Sequence, residues 1–203
     1  MNFDTKNFEK HIPYYLTAQD KHVLLANLEA ISQGGSAQYV LDEYYDDFRK
    51  EMLQGDGWKK CQLYNFDNKK IHSVFGIVLS NSCDIDESNA RDYPIRVTFS
   101  PLVKLRNFEK VMKDNGIDER KLQEKLDAIK NQKVTNVFFI PANGPLKDDY
   151  IVKLDDIHSV SLQYLKDCEK IEKNFTLSNT GFYMLLFKLS IHFCRIQENI
   201  NRD

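Results

Sequence analysis

Glycine and proline are scarce in this chain, with 8 and 5 residues among 203, and tryptophan occurs once. The scarcity excludes collagen-like repeats and low-complexity linkers, and 42% hydrophobic with 29% charged residues describes a chain that folds around a core. Cysteine is also sparse. Cys61, Cys83, Cys168 and Cys194 stand singly, without a C-x-x-C pair, so neither a zinc ribbon nor a disulfide framework is expected and the thiols read as reduced. No run of about 18 apolar residues is present, which argues against a membrane-spanning helix. Met1 to Lys6 lacks a basic-then-apolar pattern, so a cytoplasmic protein is the expectation. A dominant charge is missing too: 28 basic against 30 acidic residues give a net charge of -2. That balance offers phosphates no long-range attraction, and any nucleic-acid site has to be a local patch.

What is present is a change of period along the chain. Helical spacing in Val23, Leu24, Leu28 and Ile31, and again in Val40, Leu41, Tyr44, Tyr45, Phe48 and Met52, predicts an N-terminal helical hairpin over 1–56. Aromatics at this spacing, Tyr39 among them, read as core rather than as a recognition platform. The character then turns to β over 57–165: strands at 58–66, 71–80, 95–99, 134–140, 150–154 and 157–162, with Pro101 closing the third and a helical insertion at 106–131. A C-terminal helical region, 166–203, carries the longest helix from Asn179 to Asn201. The expected fold is α+β: a small antiparallel, barrel-like sheet with helices at both ends, forming one compact domain.

The most distinctive segment is Gly76-Ile77-Val78-Leu79-Ser80-Asn81-Ser82-Cys83-Asp84-Ile85, where a buried strand runs into hydroxyls, an amide, a thiol and a carboxylate. Strand ends of this kind often hold chemistry. Cys83 would be a nucleophile if His72 or His158 drew off its proton, with Asp84 or Asp156 orienting the imidazole. The structural alternative is a buried thiol beside a turn in which Ser82 and Asp84 cap backbone N–H groups. Ser80 and Ser82 are also candidate ligand contacts. The five histidines are far apart and form no H-x-x-x-H, and the Asp84–Glu87 acids lack the pattern of an EF-hand loop, so no metal and no cofactor is expected. On the last helix Lys188, His192, Arg195, Asn199 and Arg202 recur at steps of four and three, a stripe that could hold phosphates or simply face solvent.

The strand order also resembles a known family. Gly76-Ile77-Val78-Leu79-Ser80, then Val97-Thr98-Phe99-Ser100-Pro101-Leu102, and finally Leu154-Asp155-Asp156-Ile157-His158-Ser159-Val160 resemble the barrel strands of MazF/PemK-type toxins. The resemblance spans roughly 57–165 and implies an SH3-like barrel. No catalytic residue carries over: His72-Ser73-Val74-Phe75 stands where that family has an arginine, and Val103-Lys104-Leu105 where it has a hydroxyl. Ser82-Cys83-Asp84 resembles a stretch in bacterial proteins of mobile elements and defence loci. Together these imply a binding or assembly component of a bacterial intracellular complex, in phage defence or a toxin–antitoxin pair, with a protein partner and no membrane. The alternatives are a cysteine-dependent hydrolase, a diverged ribonuclease with a basic cleft near Lys104 and Arg106, or a nucleic-acid-binding module using the C-terminal stripe.

Overall fold

The computed structural model describes residues 22, 25, 26, 38–41, 51–89, 92–168 and 171–193. Most of the expected N-terminal hairpin lies outside the described residues, though 22, 25 and 26 are helical. Residues 38–41 are not: Val40 bridges Leu177, and Leu41 N–H donates to the Thr176 carbonyl. The periodicity that placed Val40 and Leu41 on a helix marks instead a short extended segment buried on the sheet side of the chain.

Strands β1 (Gly57–Asn65) and β2 (Lys70–Val78) form a long antiparallel ribbon. Its turn is fixed by Asn65, whose Oδ1 accepts from the backbone of both Asp67 and Asn68. After a short helix α1 (Ser82–Ile85), strand β3 (Arg96–Lys104) pairs with β2 along one edge. Its other edge is shared. The first half pairs with β6 (His158–Ser161), and the second half with β5 (Tyr150–Lys153). Pro101 does not end β3 as its residue type suggests; it falls in the gap between the β6 and β5 ladders, where the strand changes partner. Strand β4 (Val137–Ile140) extends the sheet beyond β5, and β7 (Glu172–Phe175), which the sequence did not announce, extends it beyond β1.

The result is an open sheet of seven strands, all described pairings antiparallel, in the order β4-β5-β3-β2-β1-β7 with β6 on β3. The expected barrel does not close, because both ends are occupied by something other than each other. On the outer edge of β4, the Gln132 side-chain amide accepts from Phe139 N–H and donates to its carbonyl, standing in for one more strand. Past β7, the chain at Thr176 and Ser178 pairs with residues 39–41. Gln132 thus pairs Phe139 at one end, and residues 39–41 pair the chain just past β7 at the other, without ring closure.

Two helical layers cover the sheet. The insertion is two helices, α2 (Leu105–Asp114) and α3 (Glu119–Lys130), the latter capped by Asp118, which accepts from the Arg120 and Lys121 backbone. Leu122, Leu126 and Ile129 of α3 pack on Val137, Phe139 and Ile151. The alternate residues Phe138, Ile140 and Val152 face the other side, against α5 (Asn179–Phe193), where Met184 and Leu185 are fully buried. Each such side chain contributes about 1.5–3 kcal/mol. A Cβ at Gly181 would overlap the Tyr39 carbonyl, so glycine is what lets α5 approach the 38–41 segment. Helix α4 (Leu162–Asp167) closes a third cluster with Trp58, Val97 and Phe99. No described helix is long and apolar enough to cross a membrane.

Candidate functional site

The segment after β2 folds around its own polar side chains. Leu79 N–H still reaches the Thr98 carbonyl, and the Ser80 hydroxyl accepts from Thr98 N–H at 2.7 Å. Asn81 caps α1 by accepting from Cys83 N–H at 2.9 Å, a role the sequence suggested for Ser82 and Asp84. Ser82 instead accepts from the Gln54 backbone at 3.0 Å. Both candidate hydroxyls thus position backbone. Cys83 and Asp84 are exposed, which corrects the expectation of a buried thiol. Farther on, Ser88 donates to Asp86 from its backbone at 2.8 Å, and such bonds hold the Asp86 carboxyl below the usual carboxylate range.

Two clefts flank this segment, and a third lies apart from it. The first, about 660 Å³, lies between Asn81, Asp84, Arg96 and the apolar side chains of Tyr93 and Phe193. Arg96 is braced there by Ser159, to which it donates through Nε at 3.1 Å and Nη2 at 2.7 Å. The second, about 480 Å³, holds Cys83, Asp86 and Glu87 over Trp58 and α4. The third, about 540 Å³, lies under the ribbon tip and contains His72 and His158 together with Tyr64 and Phe66. Cys83 and the two imidazoles therefore line different clefts, and the proposed thiol–imidazole pair is not assembled. His158 does have the anticipated carboxylate, Asp156, at 2.9 Å from Nε2, and its ring lies 5.8 Å from that of Phe99. His72 interacts with the Asn68 side-chain amide at 2.9 Å.

The C-terminal stripe reads differently in three dimensions. Lys188 is buried rather than facing solvent, because α5 packs against β4 and the chain following α3 on the side the stripe occupies. Its ammonium donates to the Gln132 carbonyl at 3.1 Å and to the Val134 carbonyl, and burial lowers its pKa to about 8. His192 is half-buried with its ring 4.7 Å from that of Phe193, and Arg195 and Arg202 lie outside the described residues. The basic cleft expected near Lys104 and Arg106 is offset by Asp148, 2.6 and 3.5 Å from the two cations. Among the described residues, no group of three or more His, Cys, Asp or Glu could hold a metal ion.

Sequence reading missed a charged pair. Asp56, fully buried, sits 2.6 Å from the ammonium of Lys173 and accepts from Leu53 N–H and the Thr176 hydroxyl, each at 2.8 Å. Flanked by Gly55 and Gly57, Asp56 reads as an ordinary turn residue, and nothing local marks Lys173 as its partner. No protein-family model matches the chain, and no curated protein matches it at a significant level.

Proposed function

We propose that the chain is a binding and assembly component that holds another protein at the tip of its β1–β2 ribbon. The observation that carries this reading is the exposure of large apolar side chains there: Phe66 is 83%, Ile71 61% and Tyr64 45% accessible. Tyr64 and Phe66 meet edge to face at 4.9 Å, beside a cleft with polar His72 and His158 on its wall. Exposed apolar patches rimmed by polar groups mark interaction surfaces, and aromatic anchors supply much of the binding energy at them. The paired strands and the Asn65 turn hold these side chains in place before a partner arrives, which reduces the ordering cost of association. A bacterial complex, in defence or in a toxin–antitoxin pair, is the setting that the MazF-like strand pattern adds to this reading.

The test is reciprocal co-purification from the native host, with the wild type and Phe66→Ser/Ile71→Ser compared at equal folded yield. The double variant should lose the partner while keeping its urea midpoint. Recovery of the same partner in equal amount would overturn the reading, and a concentration-dependent dimer abolished by the variant would assign the tip to a second copy of this chain instead.

One observation favours a second reading. His72 and His158 line the same cleft as two aromatic rings, so a base stacked on Tyr64 or Phe66 would bring a phosphodiester near two imidazoles, one of them oriented by Asp156. That reading predicts metal-independent RNA cleavage that disappears in both His72→Ala and His158→Ala. Cleavage unaffected by either substitution would remove it.

A further inference from the structure

The cleft beneath Cys83 has a feature that its packing does not explain. Trp58, the single tryptophan of the sequence, forms part of its wall at 7% exposure, and the indole Nε1 has no hydrogen-bond partner. It is the one buried side-chain nitrogen or oxygen among the described residues left in that state. A donor deprived of both water and a partner is destabilising, and phenylalanine would fill much of the same space without that penalty. The rest of the wall near it is apolar, from Met52, Leu162, Leu165 and Ile171.

The mouth has the opposite chemistry. Among the described residues, Glu51, Asp86 and Glu87 stand against one cation, Lys166, which is already engaged by Glu87. Glu51 and Asp86 then set a negative potential over an apolar floor with a buried donor in it. The cleft is also braced before anything binds. Gln54 ties the 51–54 segment to Ser82 through its backbone and to the Leu79 carbonyl through its side chain, while Lys173 holds the Glu51 carbonyl at 3.1 Å. The Lys166–Glu87 pair joins α4 to the α1 loop. A volume of about 480 Å³ suits a ligand of small-molecule size.

From this arrangement we infer that the cleft is a binding site for a small organic cation: an ammonium or guanidinium on a flat apolar body that also carries a carbonyl or hydroxyl acceptor. The cation lies at Glu51 and Asp86, the apolar body over Met52 and Ile171, and the acceptor meets the indole N–H after a small shift of the ring. The site is separate from the ribbon tip, so each can fail without the other.

Because the sequence holds one tryptophan, tryptophan emission excited apart from tyrosine reports on this cleft alone. The probe is 4-(aminomethyl)benzamide, which has the cation, the ring and the carbonyl. It should change Trp58 emission saturably. Two relatives separate the contributions: 4-methylbenzamide, lacking the cation, and benzylamine, lacking the acceptor, should each bind about tenfold more weakly. Glu51→Gln/Asp86→Asn should weaken the probe by a similar factor while leaving 4-methylbenzamide unchanged. Trp58→Phe, followed by calorimetry, should reduce probe affinity to that of benzylamine and leave benzylamine itself unaffected. Circular dichroism of each variant shows that it is folded. A flat titration with the probe overturns the proposal, and so does equal affinity of all three compounds, which would mean that the cleft takes apolar rings without reading charge or acceptor.

Discussion

Among the described residues two lysines are buried, and the regions around them solve the same problem differently. Lys173, on β7 near the start of β1, meets a carboxylate: Asp56 lies 2.6 Å away and receives two further donors. Lys188, on α5 beside the β4 edge, meets carbonyls among the described residues, those of Gln132 and Val134. The consequences are opposite. At Lys173 the buried charge is matched by another buried charge, and burial lifts the Asp56 carboxyl above its usual range against the pull of Lys173 and its other donors. At Lys188 no described carboxylate matches the charge, and burial drops the ammonium pKa to about 8. An ion pair makes a junction that fails when either member is removed. A lysine held by dipoles makes a junction whose strength depends on pH.

The largest effect should come from splitting the pair. Lys173→Met leaves the Asp56 carboxylate buried without its countercharge and should lower the unfolding free energy by about 3–5 kcal/mol. Asp56→Asn/Lys173→Met together should cost clearly less than the sum of the two single changes, since neither then strands a charge. Urea titrations of the four proteins measure both quantities. Additive losses would mean that the two groups do not act on each other.

Next is the pH dependence of the other site. Folded Lys188 releases its proton near pH 8, whereas an unfolded lysine keeps it to about 10.5. Between those values the unfolded chain binds more protons, so stability rises with pH through that window, and the penalty is present in full below it. The shift corresponds to roughly 3 kcal/mol across the window. Lys188→Met should abolish that rise. Urea midpoints followed from neutral pH to the upper end of the window test it, and an identical slope in the two proteins would show that Lys188 is not the group responsible.

The two lysines also show where sequence reading succeeds. The ribbon, the central strand, the helical character of the insertion and the start of α5 were all legible, because each carries its own period: alternation in Val97–Phe99, and three-or-four spacing in Leu122, Leu126 and Ile129. Lys188 was placed on its helix correctly and on the wrong side of it. Helical spacing says which residues share a face, but only tertiary packing says what covers that face, and here the chain following α3 covers it. At Ser80–Asp84 the hydroxyls hold backbone from Gln54 and Thr98, contacts that no local pattern encodes. Barrel closure was misread for the same reason: whether a sheet closes depends on its edges, and Gln132 is a helix-end residue that acts as an edge.

Gln132 permits a sharper test of the carbonyl-held side. Gln132→Leu keeps the bulk but removes the amide that serves both Phe139 N–H and its carbonyl, leaving two backbone groups of β4 without partners. The expected loss is about 2 kcal/mol, from the desolvation of the stranded groups. The carbonyls that Lys188 uses belong to the Gln132 and Val134 backbone and survive the change, so the pH-dependent rise should persist in this variant. Loss of the rise would mean that the side-chain amide, rather than the backbone, holds Lys188 in its buried position.

The smallest effect should be at Thr176→Val, which removes the hydroxyl donor to Asp56 and leaves Lys173 and Leu53 N–H in place. A hydrogen bond to a charged group contributes about 1.5–3 kcal/mol, but Thr176 is only partly buried, and a water at its position can recover some of that. A loss of about 1 kcal/mol is therefore expected. The informative quantity is its coupling to Lys173: in the Lys173→Met background the hydroxyl is one of the donors remaining to a stranded carboxylate, so Thr176→Val should cost more there than in the wild type. An equal cost in both backgrounds would mean that the carboxylate takes a proton once Lys173 is gone. The pair would then be a junction that neutralises when broken, closer in kind to Lys188 than the geometry of the intact site suggests.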